Sequence, residues 1–298
     1  MTTNTTAPST EQIVLAQDDQ RTRVGLLERT SVGIGLPLLV LVFFVLSLQA
    51  LSELGVLNPI TFPSPFAVFA ALGDLITKAY FWEATWITLQ ETLLGFAFGA
   101  GAGFVIGALT GTFKTFRVAL YPFIVAFQNT PRVALAPVFL TWFGFGMESK
   151  VVMAAVICFF PVVINTVAGI AGVDENAKTL FRSLGATRTQ AFFRLTLPSA
   201  AAIAFAGIKT ALTLALLGAI VAEFVGASEG LGVLIKELNF QLEVAMGFPV
   251  VTTLAIIGLV LYGLMNSQRK NSLRGSEIDL LNAPPNHNSD NHIQWRKQ

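Results

Sequence analysis

Four runs of this sequence, residues 30–52, 92–113, 151–173 and 244–268, contain no charged side chain. Each exceeds the roughly 20 residues that cross a hydrocarbon core. A soluble domain, in which about a quarter of residues are charged, does not hold four such runs. Here 12% of residues are charged and 53% are apolar. The runs read as membrane-spanning helices, the form in which a backbone satisfies its own hydrogen bonds in lipid.

Two further runs are broken by one charge each, residues 118–147 by Arg132 and residues 195–222 by Lys209, which gives six spans. Lys and Arg near span ends are retained on the cytoplasmic side. With the amino terminus inside, that side holds Arg21, Arg23, Arg29, Lys114, Arg117, Lys178, Arg182, Arg188, Arg194, Arg269, Lys270 and Arg274. The other side holds Lys78, Lys150 and Lys236, a bias of twelve to three. The expected fold is therefore an all-α membrane protein of about six spans with both termini cytoplasmic. A polar segment covers 1–29, the membrane domain covers 30–268, and a tail covers 269–298, disordered at its end by its Pro and Asn content. The first apolar run is too long for a signal peptide and lacks a small-residue cleavage site.

Within the second span Gly95, Gly99, Gly103, Gly107 and Gly111 recur at every fourth position. In lipid, helices associate where small residues let backbones approach, so this stripe is expected to be a packing face, static or sliding. Cys158, alone in an apolar span, reads as a small buried hydrophobe. His287 and His292 lie in the polar tail and read as solvated rather than as metal ligands, so no metal site is expected.

Between the spans, Ser64-Pro65 is a helix start, and Phe66, Phe69, Leu72 and Ile76 mark the face by which that helix is expected to lie on the bundle. Leu231, Leu234, Leu238 and Leu242 suggest a second outer helix after a turn at Gly230 and Gly232. Those glycines form no phosphate loop, since no Lys-Ser or Lys-Thr pair follows. The longest inner connection, 173–198, reads as two short helices. Asp174 caps the first, Ala177, Leu180, Phe181 and Leu184 form an apolar knob beside Lys178 and Arg182, and Gly185 stops it. Thr187 and Gln190 fit a capping box for the second, and Pro198 marks the join to the fifth span.

Gly185, nine residues, Leu195, one residue, then Leu197-Pro198 resembles the loop signature of ABC importer permeases, E-A-A-x3-G-x9-I-x-L-P. Thr179, Leu180 and Phe181 stand where the E-A-A triplet belongs, with Glu175 one turn earlier. Phe62-Pro63-Ser64-Pro65, residues 130–137 (TPRVALAP), Trp142-Phe143-Gly144-Phe145-Gly146 and Ala222-Glu223-Phe224-Val225-Gly226 are similar to segments of the nitrate, sulfonate, taurine and bicarbonate permease group. That group includes relatives that carry thiamine precursors or riboflavin. The resemblance implies a permease homodimer in a prokaryotic plasma membrane, a cytoplasmic ABC ATPase dimer and an extracytoplasmic substrate-binding protein. It places ATP and Mg on the ATPase, leaves this chain without a cofactor or catalytic residue, and gives it no nucleic-acid partner. It also makes Glu175, Leu180, Phe181, Arg182, Gly185, Leu197 and Pro198 the ATPase-coupling residues.

Ionisable groups inside spans are costly and usually face a cavity or a partner. Glu91 opens the second span, Arg132 interrupts the third, and Lys209 and Glu223 lie in the fifth, too far apart along one helix to pair. Pro122, Pro131 and Pro137 require the third span to kink or unwind, and Gln128, Asn129, Thr130 and Arg132 cluster at that break. Broken helices commonly form transporter passages, so these four, with Asn165, Lys209 and Glu223, are the candidate path residues. Arg132 could alternatively pair with Glu91 or Glu223. An ion-coupled carrier fits six spans with internal charges but needs no coupling loop. A membrane-embedded enzyme would need a polar constellation in the spans. The substrate is not legible.

Overall fold

The computed structural model describes residues 30–58 and 61–281, and all regular structure among them is helical. The elements are α1 (Thr30–Glu53), α2 (Pro65–Leu75), α3 (Ala79–Thr112), α4 (Lys114–Gln128), α5 (Ala136–Phe143) and α6 (Met147–Ala171). They continue with α7 (Glu175–Ser183), α8 (Arg188–Ala191), α9 (Leu197–Gly226), α10 (Leu231–Phe240) and α11 (Val244–Leu281). Five helical stretches are long and apolar enough to cross a membrane, and α4 with residues 132–143, bent by 90° at the break between them, forms one further broken span or re-entrant pair. Residues 1–29 and the tail with His287 and His292 lie outside the described residues. The last helix runs on to Leu281, and its apolar span covers Val244–Ser267, as expected.

The centre of the molecule is α3, α6 and α9, packed on one another over most of their lengths. Small side chains make this possible. A Cβ at Gly103 would lie 2.7 Å from the Phe159 carbonyl oxygen, one at Gly107 2.8 Å from Thr166 Cβ, and one at Gly111 2.9 Å from Ile170 Cβ. Cβ atoms at Gly95 and Gly99 would meet Ala154 Cβ and the Ala155 carbonyl closer still, whereas Gly101 has nothing within 4 Å. On the other side of α6, Gly207 and Gly218 of α9 approach Asn165 and Ala154 in the same way. Ala211, Ala215 and Ala219 of α9 bury with Ala154, Cys158 and Val162 of α6. Cys158 has no exposure, and its thiol donates toward the Ala155 carbonyl at 3.4 Å.

The outer elements correct two expectations. Ser64 caps α2 by accepting from Ala67 N–H, with Pro65 in the first turn. Yet Phe66 and Phe69 are exposed, and it is Leu75 that buries, with Phe81 and residues of α10 and α11. An exposed Phe costs little where the surroundings are lipid, so the packing of α2 on α11, not amphipathicity, sets its rotation. In α10, Leu231, Leu234 and Leu238 are buried, but Leu242 lies past the helix end, exposed, with φ of +61°. Gly232 belongs to the first turn of α10 rather than to the preceding turn.

Candidate functional site

Three features at different heights along the bundle carry polar chemistry. The first is the hairpin that joins α6 to α9. Asp174 Oδ1 accepts from Asn176 N–H at 3.0 Å and starts α7. At its other end Ala186 N–H donates to the Phe181 carbonyl and Gly185 N–H to the Arg182 carbonyl, both at 3.0 Å. This double closure needs a left-handed residue, and Gly185 supplies it with φ of +77°. Thr187 and Gln190 then close a reciprocal capping box, Gln190 Oε1 accepting from Thr187 N–H at 2.9 Å and Thr187 Oγ1 from Gln190 N–H at 3.2 Å.

Pro198 stands in the first turn of α9, at the join that the sequence marks. The helical path runs from Arg188 to Gly226, and residues Phe192–Thr196 form a π turn within it. Proline cannot donate to the fourth preceding carbonyl and its ring crowds that carbonyl, so a wider turn just before it relieves both. Leu197 N–H accordingly donates to Phe192 O, five residues back.

The surface of α7 differs from the expected knob. Leu180 and Leu184, four apart, are exposed by 58% and 76%, while Ala177 and Phe181 are half-buried against the protein itself. The exposed apolar tip is thus the Leu180–Leu184 pair. On another face Glu175 pairs with Lys178 Nζ and Arg182 Nη2, each at 3.2 Å. Lys178, then Arg182, holds the Glu175 carboxyl below the ordinary carboxylate range. A lowered carboxyl stabilises the fold above its unfolded pKa, and that contribution is lost as pH falls through the lowered value.

The second feature is the break between α4 and α5. Gln128, Asn129 and Thr130 are exposed, and Asn129 and Thr130 donate back to the Val125 and Ala126 carbonyls of their own helix. Arg132 is set apart from them. Its Nη1 donates to the Ile157 carbonyl at 3.2 Å, and its guanidinium lies over the Phe160 ring at 5.2 Å. Pro161 explains the choice: lacking an N–H, it leaves Ile157 O without its helical donor, and Arg132 fills the vacancy. Neither Glu91 nor Glu223 is the partner of Arg132. Asn165 Nδ2 donates to Pro161 O within α6, and Lys209 joins α9 to α11 through Asn266 Oδ1 at 3.2 Å and the Tyr262 ring at 3.8 Å.

The third feature lies at the end of the bundle opposite the hairpin. Glu91 of α3 and Glu223 of α9 have no exposure, and Lys150 of α6 retains 3%. Lys150 Nζ contacts Glu91 Oε1 and donates to the Glu229 carbonyl at 3.3 Å. Glu223 Oε1 accepts from Thr88 Oγ1 at 2.6 Å, and Oε2 from Gly232 N–H at 2.5 Å. Thr88 Oγ1 in turn accepts from Leu231 N–H at 2.9 Å. Two otherwise orphaned donors at the start of α10 are thereby satisfied from α3 and α9, with a carboxylate at the positive end of the helix. Gly230, at φ of +119°, has no room for a Cβ because the Glu223 carboxylate occupies it.

Lys150 is the residue that sequence reasoning misplaces. The charge-free run begins at Val151, which puts Lys150 in an outer loop, but α6 starts at Met147 and carries it inside. Likewise α3 begins at Ala79, so Glu91 lies well within the helix instead of opening it. The available signal was two opposite charges, each at the edge of a charge-free run. Among the described residues, no group of three or more His, Cys, Asp or Glu stands together as a metal site.

Residues 99–272 match the family described as the binding-protein-dependent transport system inner membrane component, and the chain belongs to that family of ABC transporter permeases. It is 34% identical over 235 residues to the riboflavin transport system permease protein RibX of Chloroflexus aurantiacus, covering 78% of this chain and 86% of RibX. It is 32% identical over 203 residues to the formylaminopyrimidine transport permease protein ThiX of Halalkalibacterium halodurans, covering 68% of this chain and 81% of ThiX. The taurine transport system permease protein TauC of Escherichia coli is 28% identical over 225 residues, covering 74% and 82%. A crystal structure of an amino acid ABC transporter with histidines shares the fold at a TM-score of 0.57 and 18% identity, over 67% of this chain and 97% of that one.

Proposed function

We propose that this chain is the permease subunit of an ATP-driven importer, paired as a homodimer, with both termini and the 173–198 hairpin in the cytoplasm. The hairpin docks on a separate ATPase that binds ATP and Mg, and an extracytoplasmic binding protein delivers a small solute to the opposite face. The observation that carries this reading is the hairpin: a short helix fixed by a cap at each end presents Leu180 and Leu184 outward, and the chain then enters α9 as one continuous helical path. The distribution of Lys and Arg supports the orientation.

The solute is of the size carried by the sulfonate, taurine, riboflavin and thiamine-precursor members of the group. Arg132, Lys150 and Lys209 each already have a partner within the chain. This supports a path with no dedicated anion site, in which the binding protein carries most of the selectivity. Gln128, Asn129 and Thr130 remain the polar groups offered to a passing solute at the break, with Arg132 positioning that segment on α6.

Leu180→Asp places a carboxylate in the docking contact, where burial without a partner costs several kcal/mol. The variant is expected to insert normally but to lose copurification with the ATPase and ATP-dependent uptake in proteoliposomes. Parent-like association and uptake would sink the docking role.

A further inference from the structure

A cavity of about 890 Å3 opens between the hairpin and the adjoining end of α3. Its volume lies in the roughly 300–1,000 Å3 range of small-molecule sites. Phe104, Ala108 and Phe113 line it on the α3 side, and Phe193 from the π turn faces them. Phe104 and Thr112, both in the lining, are eight residues apart in α3, so this wall extends ~12 Å along the helix at 1.5 Å per residue. The rim is different in kind. Lys178, Arg182 and Arg188 stand on it against one carboxylate, Glu175, which leaves a net positive edge above an apolar slot.

We propose that this cavity is a binding site for an anionic phospholipid. One acyl chain lies along the α3 wall, and the phosphodiester sits among the rim cations. The charge asymmetry selects this occupant. An apolar slot alone would accept any chain of the bilayer, whereas basic pockets between spans at a membrane face favour anionic headgroups. The bound lipid would join the hairpin to α3 across this cavity. The inference rests on the hairpin lying at the cytoplasmic membrane surface.

The test is native mass spectrometry of the full-length permease, purified after reconstitution in equal parts phosphatidylglycerol and phosphatidylcholine. Retention of phosphatidylglycerol over phosphatidylcholine is expected, falling about fivefold in Arg188→Gln, the effect of one surface cation. Arg188→Lys should keep most of the preference, and Ala108→Phe, which fills the slot, should reduce retention of both lipids. Equal retention of the two lipids by the parent would overturn the proposal. So would crosslinks from a photoreactive residue at position 108 that run to residues 1–29 or to a second copy, because the cavity would then be filled by protein. A Thr189→Cys variant should be labelled only from the cytoplasm. Labelling from outside would instead show that the orientation is wrong, whatever lipid is bound.

Discussion

Lys150 and Arg132 show how a charge inside a span is held in two different ways. Lys150 faces a carboxylate, so removing one partner leaves an uncompensated buried charge, which typically costs 3–5 kcal/mol. Lys150→Met and Glu91→Gln should each lower the yield and melting temperature of assembled protein, and the double variant should recover part of the loss. Singles as stable as the parent, measured by size-exclusion fluorescence on heating, would contradict the pairing. Arg132 instead serves a carbonyl that Pro161 leaves vacant. Arg132→Ala should cost about 1–3 kcal/mol, the price of one unsatisfied buried group. Pro161→Ala restores the helical donor, so adding it to Arg132→Ala should recover stability. If uptake per assembled complex stays low in that double variant, Arg132 also acts on the solute. Sequence reading found Arg132 because a lone Arg in an apolar run is conspicuous. It could not find the carbonyl, because the vacancy lies 25 residues away on another helix.

At the scale of the element, legibility follows the range of the interactions involved. The caps of α7 and α8 and the stop at Gly185 were readable because donor, acceptor and backbone conformation lie within a few residues. The rotation of α2 was not, because matching apolar residues to buried positions presumes water on the other side. The π turn before α9 and the early starts of α3 and α6 were missed for a related reason: charge-free runs mark what lipid tolerates, not where helices end. The glycine stripe gives a prediction at this scale. Gly103→Leu should push α3 from α6 and reduce assembly or transport, since Phe159 O and Val162 occupy the space a side chain needs. Gly101→Leu, facing open space, should be mild by the same uptake assay. Equal tolerance at both positions would mean that the stripe does not pack against α6.

Taken as a whole, the molecule is a close-packed trio, α3, α6 and α9, with polar work at its two ends and a bent segment at its flank. The proposed orientation makes the ends chemically distinguishable. Because the chain's single cysteine, Cys158, is buried, a Gln241→Cys variant should react with a membrane-impermeant thiol reagent from outside the cell against a silent background. Reaction only after permeabilisation would invert the topology. The charge cluster near that outer end also bears on how the protein is made. Glu91 emerges 59 residues before Lys150, which at roughly 5–20 residues per second is about 3–12 s of elongation. Until then α3 carries a carboxylate whose cation has not yet been synthesised. Glu223 follows only 73 residues later still. The nascent chain thus spends several seconds with a half-built contact, its α3 carboxylate made before the lysine that pairs with it.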